Sequence, residues 1–211
     1  MESPLRAGSD DPELRLIETV LWDGTGCPRI AGHLARLAAG ARTLGWSCDA
    51  QAARAALVGP AGQPARLRLT LDRAGRIEVT RAPLPQSRPQ WRLALAGTRL
   101  NSVDPWLRLK TTRRAHYDAA RAALPEGVEE AVFLNERGEV CDGTITTVFF
   151  DRGQGLRTPP LSCGLLPGVL RAGMLAEGTC REELLLAGDL PHVRLWVGNA
   201  LRGLIPATWA G

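Results

Sequence analysis

The hydrophobic pattern of the first half of the chain changes between a period of two and a helical period. Leucine occupies every second position within Ala65–Leu71, which predicts a strand with one buried face. Leu37, Ala41 and Leu44 recur at helical spacing, and Gly45 follows them where a C-cap glycine belongs. The elements predicted in this half are strands at Leu16–Trp22, Ala65–Leu71 and 76–81, and helices at 31–44 and 49–58.

A proline-rich segment divides the chain. Three prolines lie within residues 82–89, which is typical of a semi-rigid linker. We therefore predict a small α+β domain at 1–84 and a larger α+β domain at 90–211 that carries Lys110. In the second half, Pro167-Gly168 is placed at the entrance of a helix. The other elements predicted there are strands at 91–96, Glu130–Leu134, 145–151 and 192–197, and a helix at 110–124.

Composition argues against several functional classes. The net charge of +4 comes from arginines spread along the whole length, so a nucleic-acid partner is not needed to explain it. The five cysteines are never two residues apart, which argues against a disulfide framework and a zinc site, so we expect no metal. Residues 1–13 are polar and are predicted to be loose. With neither a signal-peptide core nor an apolar run of about 18 residues, we expect a cytoplasmic protein without a membrane partner.

One lysine, Lys110, stands among 26 lysine and arginine residues. A guanidinium cannot be deprotonated in a protein, whereas a lysine amine shifts its pKa readily and can attack a carbonyl to form a Schiff base. Because arginine serves every other cationic position, the one retained amine suggests a chemical role for Lys110. The alternative that the residues leave open is a leftover lysine on a solvated helix face.

Short motifs accompany Lys110 along nearly the whole chain. They are Glu18-Thr19, His33-Leu-Ala-Arg36-Leu37, Lys110-Thr-Thr-Arg113, Asn135-Glu-Arg-Gly138, Asp142-Gly-Thr-Ile-Thr, Thr158-Pro159, Gly164-Leu-Leu-Pro-Gly168 with Arg171, and Gly198-Asn-Ala. Each motif alone is a weak signal, since most Pro-Gly turns are only helix starts. Together they resemble the class IV, D-amino-acid and branched-chain aminotransferase family of pyridoxal-phosphate enzymes, and within it the branch of aminodeoxychorismate lyases.

The resemblance implies the two-domain α+β architecture of pyridoxal-phosphate fold type IV, with pyridoxal 5'-phosphate as the cofactor. Lys110 would form a Schiff base with the cofactor and move the substrate proton, Arg36 would hold the phosphate, and Asp142 would face the pyridine nitrogen. A homodimer acting on a small amino-acid-like substrate is also implied. The other residues that the resemblance assigns are Thr146, Thr147, Gly168, Val169, Leu170, Asn199 and Ala200 to the cofactor, and Thr19 and Arg113 to the substrate.

Three departures from the family pattern bear on this site. The family usually has glutamate at the position of Asp142, so the carboxylate here is one methylene shorter. Many relatives have asparagine at the position of Thr147 and threonine at that of Leu170, where this chain loses a side-chain contact to phosphate. The strands that usually precede the Glu18-Thr19 motif are missing, which affects the pocket wall that they supply.

The resemblance leaves more than one function open. The leading expectation is a lyase that releases para-aminobenzoate and pyruvate from 4-amino-4-deoxychorismate, in folate precursor synthesis. The alternatives are an aminotransferase acting on branched-chain or D-amino acids, and a non-catalytic relative that keeps the fold for binding. Asn199-Ala200 favours the lyase, because the transaminases tend to carry a hydroxyl residue in that loop. His33 is expected only to pack or cap locally, and Tyr117 to be core or pocket wall on the side of Lys110.

Overall fold

The structure, a computed structural model, describes residues 4–211, so residues 1–3 of the segment predicted to be loose lie outside the described part. The chain divides into two compact units. The N-terminal unit consists of the residues up to Gln86 together with Leu109–Arg113, and the C-terminal unit of Ser87–Arg108 and Arg114–Gly211. The division at Gln86 falls within the proline-rich segment. Lys110 groups with the N-terminal unit, whereas the sequence assigned it to the C-terminal domain.

The N-terminal unit is built on an antiparallel sheet. Its elements are α1 (Pro4–Ser9), β1 (Leu16–Trp22), α2 (Ile30–Leu44), α3 (Ala50–Ala56), β2 (Ala65–Leu71) and β3 (Ile77–Pro83). The strands lie in the order β1-β2-β3. The predicted bounds of β1 and β2 are confirmed, but the prediction of a loose start is wrong where α1 forms. No helix within residues 4–211 combines the length and apolar character needed to cross a membrane.

Alternating burial explains the packing of this sheet. Leu67, Leu69 and Leu71 are fully buried on one face of β2, as the period of two predicts. Helix α2 approaches β1 closely, because an added Cβ at Gly40 would lie 2.9 Å from Leu16 Cδ2. A larger residue at this position of α2 would therefore separate the helix from the strand.

The end of α2 and the start of α3 follow their sequence signals. Gly45 ends α2 with a φ of 69°, a left-handed conformation that glycine adopts at little cost. At the start of α3, the Asp49 side chain accepts hydrogen bonds from the backbone N–H groups of Gln51 and Ala52. Helix α3 ends at Ala56, two residues before the predicted end.

The prediction of a helix at 110–124 is wrong for residues 110–114. Thr111 pairs with Leu16 in an antiparallel bridge. The backbone N–H of Ile17 donates to the carbonyl of Lys110 at 2.8 Å. The segment therefore pairs with β1 on the side away from β2, and backbone hydrogen bonds to a buried strand fix the position of Lys110.

Helix α4 (Ala115–Ala122) begins five residues after Lys110. Tyr117 therefore does not share a helix with Lys110, and the prediction that both lie on one side of the same helix is wrong. The β-branched pair Thr111-Thr112 is better suited to an extended conformation than to a first helical turn. Tertiary pairing with β1 decides between the two conformations here.

The C-terminal unit is organised by a ring of strands. Its elements are β4 (Trp91–Leu95), α4, β5 (Glu130–Leu134), β6 (Val140–Gly143), β7 (Thr147–Asp151), β8 (Arg157–Thr158), α5 (Val169–Ala176), β9 (Arg181–Glu182), β10 (Arg194–Asn199) and β11 (Gly203–Trp209), with 3-10 turns at Pro105–Arg108, Leu161–Cys163 and Ala187–His192. The strands β10-β11-β4-β5-β6-β7 are successive neighbours, and β7 pairs again with β10. This second pairing closes the ring.

The interior of the ring is apolar. Val132 and Leu134 of β5 belong to its buried cluster together with Val148 of β7, whereas Phe133 belongs to a separate cluster. Strand β5 has its predicted bounds, while β7 and β10 each begin two residues later than predicted. Strand β11 was not predicted. By the alternation along β5, Glu130 lies on the same face as Val132, which places a carboxylate at one end of an apolar interior.

Candidate functional site

The predicted site residues are divided between the two units. The N-terminal unit contains Thr19, Arg36, Lys110 and Arg113. The C-terminal unit contains the remaining ones, on β6, the loop between β6 and β7, β7, the start of α5, and the end of β10 with the turn that follows it.

In the N-terminal unit, Arg36 is held by a buried carboxylate. The guanidinium Nε lies 2.8 Å from Oε1 of Glu18, and Nη2 lies 2.6 Å from Oε2. The Nδ1 of His33 lies 2.7 Å from the same Oε2. Because His33 and Arg36 are three residues apart on α2, both side chains reach the strand below. His33 therefore does more than pack, since it helps to hold the carboxylate that orients Arg36.

The charge state of this cluster follows from its contacts. Burial of Glu18 raises its pKa, but the charge and hydrogen bond of Arg36, together with His33, outweigh burial and lower the pKa below 4.5. Glu18 is therefore ionised at neutral pH. An ionised carboxylate can only accept hydrogen bonds, so Nδ1 of His33 carries the proton that it donates.

Lys110 and Thr19 lie on one face of this sheet. Successive side chains of β1 alternate, so Ile17 and Thr19 face one way and Glu18 the other. Lys110 is opposite Ile17 in the antiparallel pairing, and opposite residues share a face. Lys110 is half-buried. Arg36 lies with Glu18 on the other face, and Arg113 is exposed.

In the C-terminal unit, the start of α5 packs against β7. Gly168 is the N-cap of α5, and Val169 and Leu170, both buried, are its first residues. The first N–H groups of a helix lack intrahelical acceptors and carry partial positive charge. An added Cβ at Gly168 would lie 2.8 Å from Oγ1 of Thr147. The hydroxyl of Thr147 is therefore brought directly to the helix start.

The end of β10 also lies beside Thr147 and the start of α5. Gly198 pairs with Thr147 across the two strands. An added Cβ at Gly198 would lie 2.8 Å from the carbonyl oxygen of Gly203 and 2.8 Å from Cδ2 of Leu170. Glycine at 198 is therefore required for the strand end, the turn and the helix start to come this close.

The turn after β10 is organised by Asn199. Its Oδ1 accepts hydrogen bonds from the N–H groups of Leu201 (3.1 Å) and Arg202 (3.0 Å). Its Nδ2 donates to the carbonyl of Ile145 at 3.1 Å. The amide is therefore committed to the turn and to the loop between β6 and β7. Ala200, which is buried, adds no hydroxyl to this turn.

Asp142 lies on β6 opposite Thr147 and is buried. Its Oδ2 accepts a hydrogen bond from the N–H of Leu166 at 3.3 Å. The ring of Tyr117 packs edge-on against Phe133 at 5.1 Å. Burial, and next the negative charge of Asp142, raise the pKa of the Tyr117 hydroxyl. Tyr117 is therefore a neutral, mostly buried residue, and it lies close enough to Asp142 for the carboxylate charge to affect its pKa.

Sequence reasoning missed one residue of this region. The hydroxyl of Thr146 donates to Oε2 of Glu130 at 2.7 Å, and Glu130 is completely buried. The sequence holds a signal for it: Glu130 has the parity of Val132 and Leu134 in an apolar strand. An inward-facing carboxylate of this kind needs donors, and a threonine-rich segment follows in the chain.

Comparison with known proteins adds independent findings. The sequence profile of the family described as "Amino-transferase class IV" matches residues 15–209. A protein of Schizosaccharomyces pombe named "Putative aminodeoxychorismate lyase" is 30% identical over 179 residues, which cover 81% of this chain and 77% of that protein.

Solved structures share the fold. A crystal structure from Mesorhizobium loti, described as a "Putative amino-acid aminotransferase", has a TM-score of 0.87 and 45% identity, and covers 93% of this chain and 100% of its own. The 4-amino-4-deoxychorismate lyase from Pseudomonas aeruginosa has a TM-score of 0.77 and 23% identity, and covers 99% and 87%. At that identity, the second likeness concerns the fold alone.

Proposed function

Because the chain belongs to the class IV aminotransferase family, and is thus a pyridoxal-phosphate enzyme of fold type IV, we propose that it is a 4-amino-4-deoxychorismate lyase. In this proposal it forms para-aminobenzoate and pyruvate, a step toward a folate precursor. The observation that carries the proposal is the relative named as an aminodeoxychorismate lyase, which aligns with 81% of this chain at 30% identity.

In the C-terminal unit, we assign the cofactor phosphate to the start of α5. The N–H groups of Val169 and Leu170 present partial positive charge there, which suits a phosphate. The close approach at Gly168 and Gly198, where a Cβ would collide with atoms of Thr147, Leu170 and Gly203, holds the strand end and the turn beside these N–H groups. Thr147 would add its hydroxyl, and the turn at Asn199-Ala200 would complete the phosphate site. The fit of the residues present is therefore good.

In the same unit, we assign Asp142 to the pyridine nitrogen. Asp142 is buried, and its Oδ2 accepts one long hydrogen bond from Leu166. A buried carboxylate beside a pyridine nitrogen keeps that nitrogen protonated. Bound pyridoxal phosphate then supplies an electron sink for the electron pair that a departing proton leaves behind.

In the N-terminal unit, we assign Lys110 to the cofactor aldehyde and to proton transfer. We also assign Arg36 to the phosphate, as the family resemblance implies, although its guanidinium lies with Glu18 on the opposite face of the sheet from Lys110. Lys110 is anchored by the backbone bond to Ile17, so its side chain starts from a fixed point on the sheet. The Glu18 contacts use Nε and Nη2 of Arg36 and set the plane of the guanidinium. Thr19, on the face of Lys110, and Arg113 are assigned to the substrate.

The proposed reaction needs one proton to be taken and one to be given. Lys110 Nζ removes the proton from the substrate carbon that bears the amino group. The bond between the ring and the enolpyruvyl oxygen then breaks. The leaving group takes up a proton and becomes pyruvate, while the ring becomes aromatic. An amine suits both steps, because lysine pKa values shift readily in a protein site.

An aminotransferase is the second candidate, and it has its own support. The Mesorhizobium loti structure described as an amino-acid aminotransferase is 45% identical over 93% of this chain. The turn after β10 favours the lyase instead, since Ala200 replaces the hydroxyl residue typical of the transaminases and Asn199 is bonded to the backbone. We further propose a homodimer and a cytoplasmic location.

Product analysis separates these functions. The cofactor-loaded protein is incubated in turn with 4-amino-4-deoxychorismate, with D-alanine and with a branched-chain amino acid, the last two with a keto-acid acceptor. We expect equimolar para-aminobenzoate and pyruvate from the first substrate alone. A new amino acid from the other two mixtures would identify an aminotransferase, and no product from any mixture would favour a non-catalytic relative. The Lys110→Arg variant, which keeps the charge, serves as the control.

A further inference from the structure

A buried carboxylate that the proposed function does not use lies under the loop between β6 and β7. Glu130 is completely buried on the inward face of β5, beside the apolar ring interior. A charged group in such a place is unfavourable unless hydrogen bonds satisfy it. Each partner of Glu130 is therefore informative.

The loop supplies most of these partners. Oε1 accepts the N–H of Thr144 at 3.0 Å and a short hydrogen bond from its hydroxyl. Oε2 accepts the N–H of Ile145 at 3.2 Å and the hydroxyl of Thr146 at 2.7 Å. Each carboxylate oxygen thus binds one backbone N–H and one hydroxyl of three consecutive residues. Outside the loop, the N–H of Ala131 and the guanidinium of Arg121 also approach Oε1, at 3.1 and 3.6 Å.

The loop has no room to move towards the carboxylate. An added Cβ at Gly143 would lie 2.6 Å from Oγ1 of Thr146 and 2.8 Å from Oε2 of Glu130. The N–H of Gly143 donates to the carbonyl of Thr146 at 2.7 Å, which closes the turn. Glycine therefore allows the turn to close directly over the carboxylate.

The opposite side of the loop is also fixed. The carbonyl of Thr144 accepts a hydrogen bond from Arg114 at 3.1 Å, and that of Ile145 accepts one from Asn199 at 3.1 Å. The loop directly joins Asp142 to Thr147. Any shift of the loop would therefore move both of these residues.

We propose that Glu130 is a positioning residue: it holds the 143–146 loop, and through it Asp142 and Thr147, in the geometry that pyridoxal phosphate requires. This inference rests on the proposed assignment of Asp142 and Thr147 to the cofactor. Glu130 touches neither the cofactor nor the substrate in this account.

The geometry demands glutamate rather than an isostere. Both carboxylate oxygens accept a backbone N–H, so the amide of glutamine would point its NH2 group at a backbone donor in either orientation. Aspartate is one methylene shorter and cannot reach both donors in the same position. The matched control is Glu129→Gln, because the Glu129 side chain accepts the N–H of Arg92 and pairs with Arg88, and neither of these residues belongs to the loop.

The first experiment compares hydrogen exchange in the cofactor-free proteins. In Glu130→Gln, we expect the amides of Thr144 and Ile145 to exchange about tenfold faster than in Glu129→Gln, since each loses its acceptor or faces a donor. Unchanged exchange would overturn the proposal. This measurement needs no cofactor, so it stays valid even if the proposed reaction is wrong.

The second experiment measures pyridoxal phosphate binding. We expect Glu130→Gln to weaken binding about tenfold and to reduce the induced circular dichroism per bound cofactor, while Glu129→Gln keeps both. A purely structural role would lower the melting temperature without changing the dichroism per bound cofactor, and that result would overturn the proposal. If wild-type protein binds no pyridoxal phosphate, the proposed function fails, while the exchange result still judges the loop.

A milder variant covers the case in which Glu130→Gln does not fold. Thr144→Ala removes one hydroxyl donor and leaves the backbone N–H in place. We expect the same changes in exchange and dichroism at a severalfold level. Wild-type values in a folded Thr144→Ala protein would count against the proposal.

Discussion

Among residues 4–211, each unit buries one glutamate, and the two are stabilised in different ways. Glu18, in the N-terminal unit, contacts the cation of Arg36 and the Nδ1–H of His33. Glu130, in the C-terminal unit, is bonded chiefly to neutral donors, the N–H and hydroxyl groups of the 143–146 loop. The first carboxylate fixes a side chain that carries charge, whereas the second fixes a stretch of backbone.

A buried carboxylate can therefore support a site in two ways, by orienting a charged side chain or by fixing the backbone. A carboxylate paired with a cation sets the orientation and the charge balance of that cation. A carboxylate bonded to N–H groups sets the path of the chain, because the backbone cannot rotate away from the contact as a long side chain can. Removing the charge should therefore affect stability most at Glu18, and loop geometry most at Glu130.

Glu18→Ala should produce the largest loss of stability. The substitution leaves the mostly buried Arg36 and the buried His33 without their acceptor. Breaking a buried ion pair costs about 3–5 kcal/mol of the free energy of unfolding. Chemical denaturation of the variant and the wild type measures this difference. A loss as small as that of an exposed ion pair would mean that the cluster is solvated in solution.

Glu130→Gln should cost less, about 1–3 kcal/mol, because one unmatched polar contact replaces a satisfied one and the charged partner, Arg121, is partly exposed to solvent. The same denaturation experiment, run beside Glu129→Gln, measures it. If Glu130→Gln were more destabilising than Glu18→Ala, the contrast between charge pairing and loop holding would be wrong.

Low pH should remove the contribution of Glu18 to the stability of the protein. The pKa of Glu18 is lowered in the folded protein, so its contribution is fully present above its usual value of 4.5 and is lost as the pH falls through the folded value. We expect the melting temperature of the wild type to fall more steeply below pH 4.5 than that of Glu18→Gln. Parallel curves for the two proteins would contradict this.

Asp49→Ala should have the smallest effect and serves as a reference outside both clusters. Its side chain caps α3 through the N–H groups of Gln51 and Ala52. Loss of an N-cap costs about 1 kcal/mol. The variant should leave pyridoxal phosphate binding unchanged, so a binding defect would show that stability alone governs the cofactor site.

Local sequence patterns predicted best the elements that have one buried face and one solvent-exposed face. The alternation in Ala65–Leu71 gave the bounds of β2, and Gly45 gave the end of α2. Strand β11 was not predicted, because Pro206 breaks the strand pattern of the sequence, although the strand itself continues through it. Pro206 faces Trp196 in the pairing with β10, while the pairing with β4 begins only at Ala207. The missing N–H is therefore tolerated at a point where the strand has one neighbour.

The family, its fold type and its cofactor were predicted from motifs spread over the chain and are confirmed by the family match over residues 15–209. The roles of single residues stay predictions. The conformation of Lys110 was predicted wrongly, because its extended backbone depends on pairing with Ile17, a distant part of the sequence. Glu130 was missed for the same reason, since its partners lie 14 to 16 residues away.

The central claim is that the amine of Lys110 binds the cofactor. The test is borohydride reduction of the protein loaded with pyridoxal phosphate, followed by mass spectrometry of its peptides. Since Lys110 is the one lysine in the sequence, the account predicts a visible absorbance band that reduction abolishes and a modified peptide that contains Lys110. Both should be absent in Lys110→Ala and Lys110→Arg, with activity reduced at least about a thousandfold. Full activity in Lys110→Ala would contradict the account.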